Sequence, residues 1–282
     1  MGEFDISKLK KLAERGDADA QYELGEHFSC GEGFDDAVAF RWFLLAAEQG
    51  HMKAQYAVGD CYALGIGIEE DWCEAYKWYL RSAEQGYAMA QLDVAECLVW
   101  GAGVEENKEA AVQWYRKSAE SGYAAGQSAL GILYDEGELV PQNLVEAAKW
   151  YRLAAEQGDY CGQHNLGCLY LKGKGVEQNF DKAFELFRLS AEQDYVGAIV
   201  NLGYCYEMGY GTPQNLEKAV ECYLKAANCY KDEIAAYNLG ECYELGNGVV
   251  KDVNKALEWY RISAERGDEE AKKKVQELTN NN

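Results

Sequence analysis

The chain has 282 residues, of which 48% are hydrophobic, with 29 glycines and 2 prolines. This composition favours many helices joined by glycine turns and argues against a disordered chain. The formal net charge of −21 repels nucleic-acid phosphates and anionic membrane surfaces, and it attracts basic proteins. Because no run of 18 apolar residues occurs, the sequence also predicts no membrane span. We therefore expect neither a nucleic acid nor a membrane as partner.

The first segment, residues 1–17, is interpreted as an N-terminal capping helix. Its helical part, residues 6–17, ends in Ala-Glu-Arg-Gly-Asp, which matches the end of the second helix in later repeats. The start of the chain lacks an apolar stretch of signal-peptide length. A terminal helix with a polar outer face is what a stacked repeat array requires.

Residues 18–267 consist of seven repeats. A Leu-Gly or Val-Gly pair recurs at intervals of 34 to 37 residues, as Leu24-Gly25, Val58-Gly59, Leu130-Gly131, Leu166-Gly167, Leu202-Gly203 and Leu239-Gly240. In the third repeat, Val94-Ala95 takes its place. The second residue of this pair is called the anchor. Alanine recurs in all seven repeats at two further slots, as Ala39, Ala75, Ala111, Ala147, Ala183, Ala219 and Ala256, and as Ala47, Ala83, Ala119, Ala155, Ala191, Ala227 and Ala264.

The spacing within a repeat predicts two helices. Ala54, Val58 and Tyr62 recur at helical intervals in the first half, and the second half carries a similar stripe around Trp78 and Tyr79. Glycine beside the first stripe is expected where another helix approaches closely. Gly-x-Gly turns follow the first helices, as in residues 65–67, 101–103, 173–175, 209–211 and 246–248, and glycine there ends a helix in the left-handed conformation. Repeat four has Leu139 at the second glycine, and repeat six ends in Asn228-Cys229-Tyr230 instead of Glu-x-Gly.

The last segment, residues 268–282, is interpreted as a C-terminal capping helix, over residues 268–279, followed by a tail. It carries Lys272, Lys273 and Lys274. With both caps present, we expect the repeat array to be complete within the chain.

This pattern resembles the Sel-1-like repeat, a relative of the tetratricopeptide repeat, and residues 90–122 and 162–194 follow it most closely. The resemblance implies an all-α, right-handed α/α superhelical solenoid of seven helix-turn-helix repeats of about 36 residues. It also implies a protein that assembles complexes and is not an enzyme.

The resemblance further implies that the first helices line a concave groove. The residues expected to bind a partner there are Tyr22, Glu26, Tyr56, Asp60, Glu96, Trp100, Asp135, Tyr204, Glu207, Tyr237, Glu241 and Glu244. The groove positions lie three residues before the anchor and one, four and five residues after it. Across the seven repeats, these four rows hold eight carboxylates and one Lys or Arg residue, Lys172. One interpretation is a groove for a basic, aromatic or apolar segment, with Trp100 as a hot spot. The other is an ordinary solvated face of an acidic protein.

Two cysteine patterns bear on location and chemistry. Cys61, Cys97, Cys205 and Cys242 share one repeat slot, which indicates a small buried apolar position, reduced thiols and a cytoplasmic protein, with a secreted effector as the alternative. Cys161, His164 and Cys168 share one helical stripe and form a weak candidate for a zinc site that lacks a fourth ligand. The alternative is a pair of core cysteines beside a surface histidine. We expect no metal and no cofactor.

Three functions remain open. The first is a monomeric scaffold or adaptor for a basic or aromatic protein or peptide. The second is an inhibitor or immunity-type protein that neutralises a basic toxin or enzyme. The third is a β-lactam-binding hydrolase, for which Ser7 and Lys10 match a Ser-x-x-Lys motif by letter, while the accompanying motifs of such enzymes are missing.

Overall fold

The computed structural model describes residues 6–30 and 34–280, which form sixteen α-helices and no strand. In chain order they are α1 (Ile6–Glu14), α2 (Ala18–Cys30), α3 (Asp36–Glu48), α4 (Met52–Leu64), α5 (Trp72–Glu84), α6 (Ala88–Trp100), α7 (Lys108–Glu120), α8 (Ala124–Glu136), α9 (Leu144–Glu156), α10 (Tyr160–Lys172), α11 (Phe180–Ala191), α12 (Val196–Met208), α13 (Leu216–Cys229), α14 (Glu233–Leu245), α15 (Val253–Glu265) and α16 (Glu269–Asn280). The predicted all-α array of helix pairs is confirmed. Of the two predicted end segments, residues 1–5 and 281–282 lie outside the described residues.

The chain divides into two compact units. Unit 1 covers residues 1–133 and 137–141, and unit 2 covers residues 134–136 and 142–282. Within each unit, every helix packs against the next one along the chain, from α1 to α7 in unit 1 and from α9 to α16 in unit 2. The hydrophobic core of each unit therefore runs between consecutive helices, as stacking of repeats requires.

The second helix of every repeat begins after an Asp or Asn that caps it. The side chain of this residue accepts a hydrogen bond from a backbone N–H in the first turn, and the seven residues are Asp35, Asp71, Asn107, Asn143, Asn179, Asn215 and Asp252. Such a cap contributes about 1 kcal/mol to a helix. These caps make the start of each second helix a property of the local sequence.

The Gly-x-Gly turns adopt the predicted left-handed conformation and also make a contact between repeats. Gly65 ends α4 with φ = 67°, as expected for a helix-ending glycine. Gly67 has φ = 70°, and a Cβ atom on it would lie 2.2 Å from the carbonyl oxygen of Asp36. The second glycine therefore lets the turn lie directly on the start of the preceding repeat's second helix.

Two repeats end without the expected glycine. Among the described residues, Asp194 and Lys231 are the non-glycine residues with positive φ, at 62° and 57°. Asp194 takes the place of the glycine that ends repeat five. In repeat six, α13 extends to Cys229 and Lys231 makes the left-handed turn, so the departure at residues 228–230 lengthens the helix and leaves the fold intact.

The aromatic residue beside each tryptophan slot forms the centre of the core. These residues are Phe43, Tyr79, Tyr115, Tyr151, Phe187, Tyr223 and Tyr260, all buried. A Cβ atom on Gly59 would lie 2.5 Å from ring carbons of Tyr79, so the ring lies directly on the anchor glycine. The prediction of a close helix approach at this glycine is confirmed, and its partner is the aromatic ring.

Buried polar side chains connect successive helices. Gln55 and Gln91 donate to the carbonyl oxygens of Ala47 and Ala83, at 3.2 Å in both cases. Ser82, fully buried, donates to the carbonyl oxygen of Met52 at 2.9 Å. The described residues contain no buried side-chain nitrogen or oxygen without a partner, so hydrogen bonds offset the cost of burying these groups.

Candidate partner-binding surface

The predicted binding residues all lie on first helices of repeats. In unit 1, α2 carries Tyr22 and Glu26, α4 carries Tyr56 and Asp60, and α6 carries Glu96 and Trp100. In unit 2, Asp135 lies in residues 134–136, α12 carries Tyr204 and Glu207, and α14 carries Tyr237, Glu241 and Glu244.

Most of the predicted carboxylates accept a hydrogen bond from a core tyrosine. The bonds are Tyr79 to Asp60 at 2.8 Å, Tyr115 to Glu96 at 2.6 Å, Tyr151 to Asp135 at 3.3 Å, Tyr223 to Glu207 at 2.8 Å and Tyr260 to Glu244 at 2.6 Å. The carboxylate lies one or four residues after the anchor. Repeat five has Phe187 in place of tyrosine, and Cys168 and Leu171 stand in its two carboxylate slots. Five of the predicted carboxylates are therefore hydrogen-bonded to the core.

Asp60 and Asp93 form a half-buried acidic pair in unit 1. The Tyr56 hydroxyl lies within hydrogen-bonding reach of both carboxyl groups. Burial raises the pKa of Asp60 to about 6, against the lowering effect of the bonds from Tyr79 and Tyr56. Burial, followed by the charges of Asp60 and Glu96, raises the pKa of Asp93 to about 6. None of the ion pairs found in the described part of unit 1 involves the carboxylates of Asp60, Asp93 or Glu96.

Beside this pair lies a cleft of about 280 Å³ that contains two exposed tryptophans. Its walls are Trp72, Tyr79, Asp93, Glu96, Cys97, Trp100 and Ala102. Trp100 is 77% exposed and Trp72 is 40% exposed. The Trp100 indole donates to Glu96 at 3.1 Å, and that of Trp72 donates to Glu70 at 3.0 Å. The exposure expected for Trp100 is present, and the surface combines aromatic faces with negative charge.

In unit 2, one of the predicted carboxylates, Glu244, forms an ion pair with a lysine of the chain itself. Lys274 of α16 lies 2.9 Å from Glu244, which also accepts the Tyr260 hydrogen bond. Burial opposes ionisation of Glu244, but the bonds from Tyr260 and Lys274 lower its pKa. Burial raises the pKa of the neighbouring Glu241. Glu244 thus has a cation supplied by the chain, whereas Asp60, Asp93 and Glu96 of unit 1 have none among the described residues.

The remaining predicted residues make local contacts. The Tyr22 hydroxyl donates to Glu26 at 2.7 Å, and the Tyr22 ring stacks on His51 with centroids 4.8 Å apart. Tyr204 is 38% exposed and makes an edge contact with Tyr210. Tyr237 packs against the core ring of Tyr260. These three tyrosines widen the aromatic part of the first-helix surface.

The weak zinc candidate forms a hydrogen-bonded cluster of the core. The His164 ring lies between two amides, with Nδ1 3.0 Å from the oxygen of Asn165 and Nε2 3.0 Å from the nitrogen of Asn201. Burial lowers the pKa of His164 and raises that of Cys161 and Cys168 to about 11. Metal binding needs thiolates and a free ring nitrogen.

Among the described residues, no group of three or more His, Cys, Asp or Glu side chains is placed to hold a metal ion. His164 is also half-buried, so the alternative of a surface histidine is wrong. The slot of Cys61, Cys97, Cys205 and Cys242 is buried, which confirms the prediction of a small buried position.

Sequence reasoning missed Asp93 and Trp72. Asp93 lies two residues before the anchor, outside the four rows taken as the groove, and it reaches Tyr56 of the preceding repeat only through packing. Trp72 lies outside the tryptophan slot that five of the seven tryptophans occupy. The same departure from the repeat pattern pointed to Trp100, so the sequence could also have indicated Trp72 as a binding residue.

The repeat pattern decides the family. The Sel1 repeat matches residues 18–51, 53–87, 88–123, 124–159, 162–195, 196–230 and 234–268. The chain belongs to the Sel1 repeat family. Sel1 repeat proteins generally mediate protein–protein interactions, and the family is typically non-catalytic scaffolding.

Solved Sel1 repeat structures resemble the chain over most of its length. A protective antigen present in uropathogenic Escherichia coli strains, which displays the same repeat fold, is 34% identical, with a TM-score of 0.82 over 98% of this chain and 59% of the antigen. The chain thus spans little more than half of that protein. A Sel1 repeat protein from Oxalobacter formigenes is 30% identical, with a TM-score of 0.76 over 86% of this chain and 96% of that protein.

Two negative findings accompany these similarities. No curated protein matches the chain. None of the described helices combines the length and the apolar composition that crossing a bilayer requires.

Proposed function

We propose that this Sel1 repeat chain is a scaffold that binds a protein partner through the first-helix surface of unit 1. The observation that carries the proposal is Trp100. Its side chain is 77% exposed on α6, whereas the aromatic residue beside each tryptophan slot is buried in the core. Exposed tryptophans are among the residues that contribute most to binding energy in protein interfaces.

The charge of the same surface supports a basic partner. Asp93 and Glu96 line the same cleft as Trp100, and Asp60 lies close to Asp93. None of the three has an ion-pair partner among the described residues. A net charge of −21 steers basic proteins toward the chain and accelerates their association. We expect the interaction to weaken as the ionic strength rises.

Affinity capture with substitutions matched to the repeat tests this function. Trp100→Leu introduces the residue that Leu64 and Leu245 provide at the same repeat slot, so the fold is kept. Leu245→Ala, in unit 2, is the control. We expect at least one protein to bind the wild type and Leu245→Ala but not Trp100→Leu, and to bind again when purified. Identical protein sets from all three baits would contradict the proposal.

A partner that is itself a toxin or an enzyme would make the chain an inhibitor or immunity-type protein. The same negative surface supports this second candidate. The distinguishing measurement is the partner's activity with one equivalent of the chain added. Inhibition that Trp100→Leu abolishes supports neutralisation, and full activity in the complex supports a scaffold.

We also propose a cytosolic location and a monomeric state. The buried cysteines of the shared repeat slot suit a reducing compartment. Fractionation of the source cells with immunodetection checks the location, and light scattering of the purified chain checks the monomer.

A further inference from the structure

The cleft between α5 and α6 has aromatic walls that the repeat itself does not require. Five tryptophans occupy the recurring slot three residues after the first repeated alanine, whereas Trp72 and Trp100 do not. Both line the cleft, together with Tyr79 and the carboxylates of Asp93 and Glu96. Aromatic faces beside carboxylates are the groups that bind a cationic side chain, because the ring faces and the carboxylates are both negative.

The charge at this cleft is unbalanced within unit 1. Asp93 lies two residues before the anchor, a slot that holds Asn165, Asn201 and Asn238 in the last three repeats. The Asp93 carboxyl faces those of Asp60 and Glu96. No ion pair in the described part of unit 1 reaches any of these three carboxylates. An added positive charge would therefore relieve repulsion here.

Unit 2 contains an internal example of such a cation. Lys274 occupies in α16 the slot that Asp93 occupies in α6. Its Nζ atom lies 2.9 Å from Glu244 and 5.8 Å from the centroid of the Tyr260 ring. A tyrosine–carboxylate pair of this repeat can thus accept a lysine, and the pairs of Asp60 and Glu96 in unit 1 offer the same groups.

We propose that the cleft of unit 1 binds one lysine or arginine side chain from a basic segment of the protein partner. The rings of Trp72 and Trp100 contact the cationic side chain, and Asp93 and Glu96 balance its charge. This inference rests on the proposed function and specifies the chemistry of the partner. Arginine and lysine share the positive charge, and arginine adds a planar group that stacks on indole rings.

Fluorescence anisotropy with short labelled peptides tests the cleft. The probes are hexa-arginine, hexa-lysine and hexa-citrulline, the last of which keeps the shape of arginine but lacks its charge. We expect both charged peptides to bind the wild type in 50 mM salt and hexa-citrulline to bind at least tenfold more weakly. Binding of hexa-citrulline equal to that of hexa-arginine would overturn the proposal.

Variants taken from the repeat itself locate the binding. Trp100→Leu and Asp93→Asn should each weaken hexa-arginine binding at least fivefold. Leu245→Ala, at the Trp100 slot of unit 2, and Glu120→Gln, which removes one exposed charge from unit 1, should change it less than twofold. An equal effect of Asp93→Asn and Glu120→Gln would show unspecific attraction to net charge and refute the cleft.

The outcome separates this inference from the function on which it rests. Loss of the captured partner from Trp100→Leu, with unchanged hexa-arginine binding, would refute the cation site and leave the scaffold function standing. Weaker hexa-arginine binding by Trp100→Leu, with all captured proteins retained, would support the cation site and refute the proposed scaffold surface.

Discussion

Replacing Asp93 with Asn should stabilise unit 1 at neutral pH and have little effect at acidic pH. The Asp93 carboxyl is half-buried, accepts a hydrogen bond from Tyr56, and faces the carboxyl groups of Asp60 and Glu96. Asparagine keeps an oxygen for the Tyr56 bond and has no charge. It is also the residue that three later repeats have at this slot, so the backbone accepts it.

The size of the effect follows from the pKa of Asp93. This pKa rises from 3.8 to about 6 in the folded chain. Because the folded state holds the proton more tightly than the unfolded state, stability decreases as the pH rises from about 4 to about 6 and stays lower above that range. At 1.36 kcal/mol per pKa unit, the full penalty is about 3 kcal/mol. Water around the half-exposed group screens part of it, so we expect a gain of about 1–2 kcal/mol at pH 8.

Hydrogen exchange of the α4–α6 amides, together with thermal unfolding followed by circular dichroism, measures this gain. Exchange is preferred because repeat arrays unfold in parts. The control is Glu244→Gln in unit 2, which removes a carboxylate paired with Lys274 and should destabilise its unit. Equal or lower stability of Asp93→Asn at pH 8, or the same gain at pH 4, would refute the reasoning.

Three further predictions test the contacts between repeats. Gly65→Ala should lower the free energy of unfolding by about 1–2 kcal/mol, because alanine disfavours the left-handed conformation. Gly67→Ala should lower it clearly more, because its Cβ atom would also meet a carbonyl oxygen of the preceding repeat. Urea unfolding measures both, and equal costs would argue against that contact. Phe187→Tyr adds a buried hydroxyl to a repeat that has no carboxylate partner for it, and should cost about 1–3 kcal/mol of stability. The second substitution Leu171→Glu supplies a carboxylate and should recover part of this loss in the same assay. No recovery would show that the tyrosine–carboxylate pairing is incidental. Lys274→Met breaks the partly exposed ion pair of unit 2 and should lower the free energy of unfolding by less than about 1 kcal/mol. If this loss is electrostatic, it should be smaller in 1 M salt.

The candidate surface was only partly predictable. The resemblance to the Sel-1-like repeat placed Trp100 and the carboxylates on the first helices, and the structure has them there. It did not reveal that Tyr79 bonds Asp60 from 19 residues away. Nor did it reveal that His164 bonds Asn201 from 37 residues away, which turned a weak metal candidate into a core cluster.

The sequence by itself determined the number of repeats, the two helices in each, and the turns between them. These features depend on local requirements, such as the left-handed glycine at residue 65 and the Asp71 cap, which a short segment expresses without its neighbours. Only the tertiary structure decided that Asp93 lies beside Asp60 and that Trp72 and Trp100 share one cleft. Those contacts depend on how far one helix is shifted along the next, and that offset is set by the interlocking of side chains from several repeats.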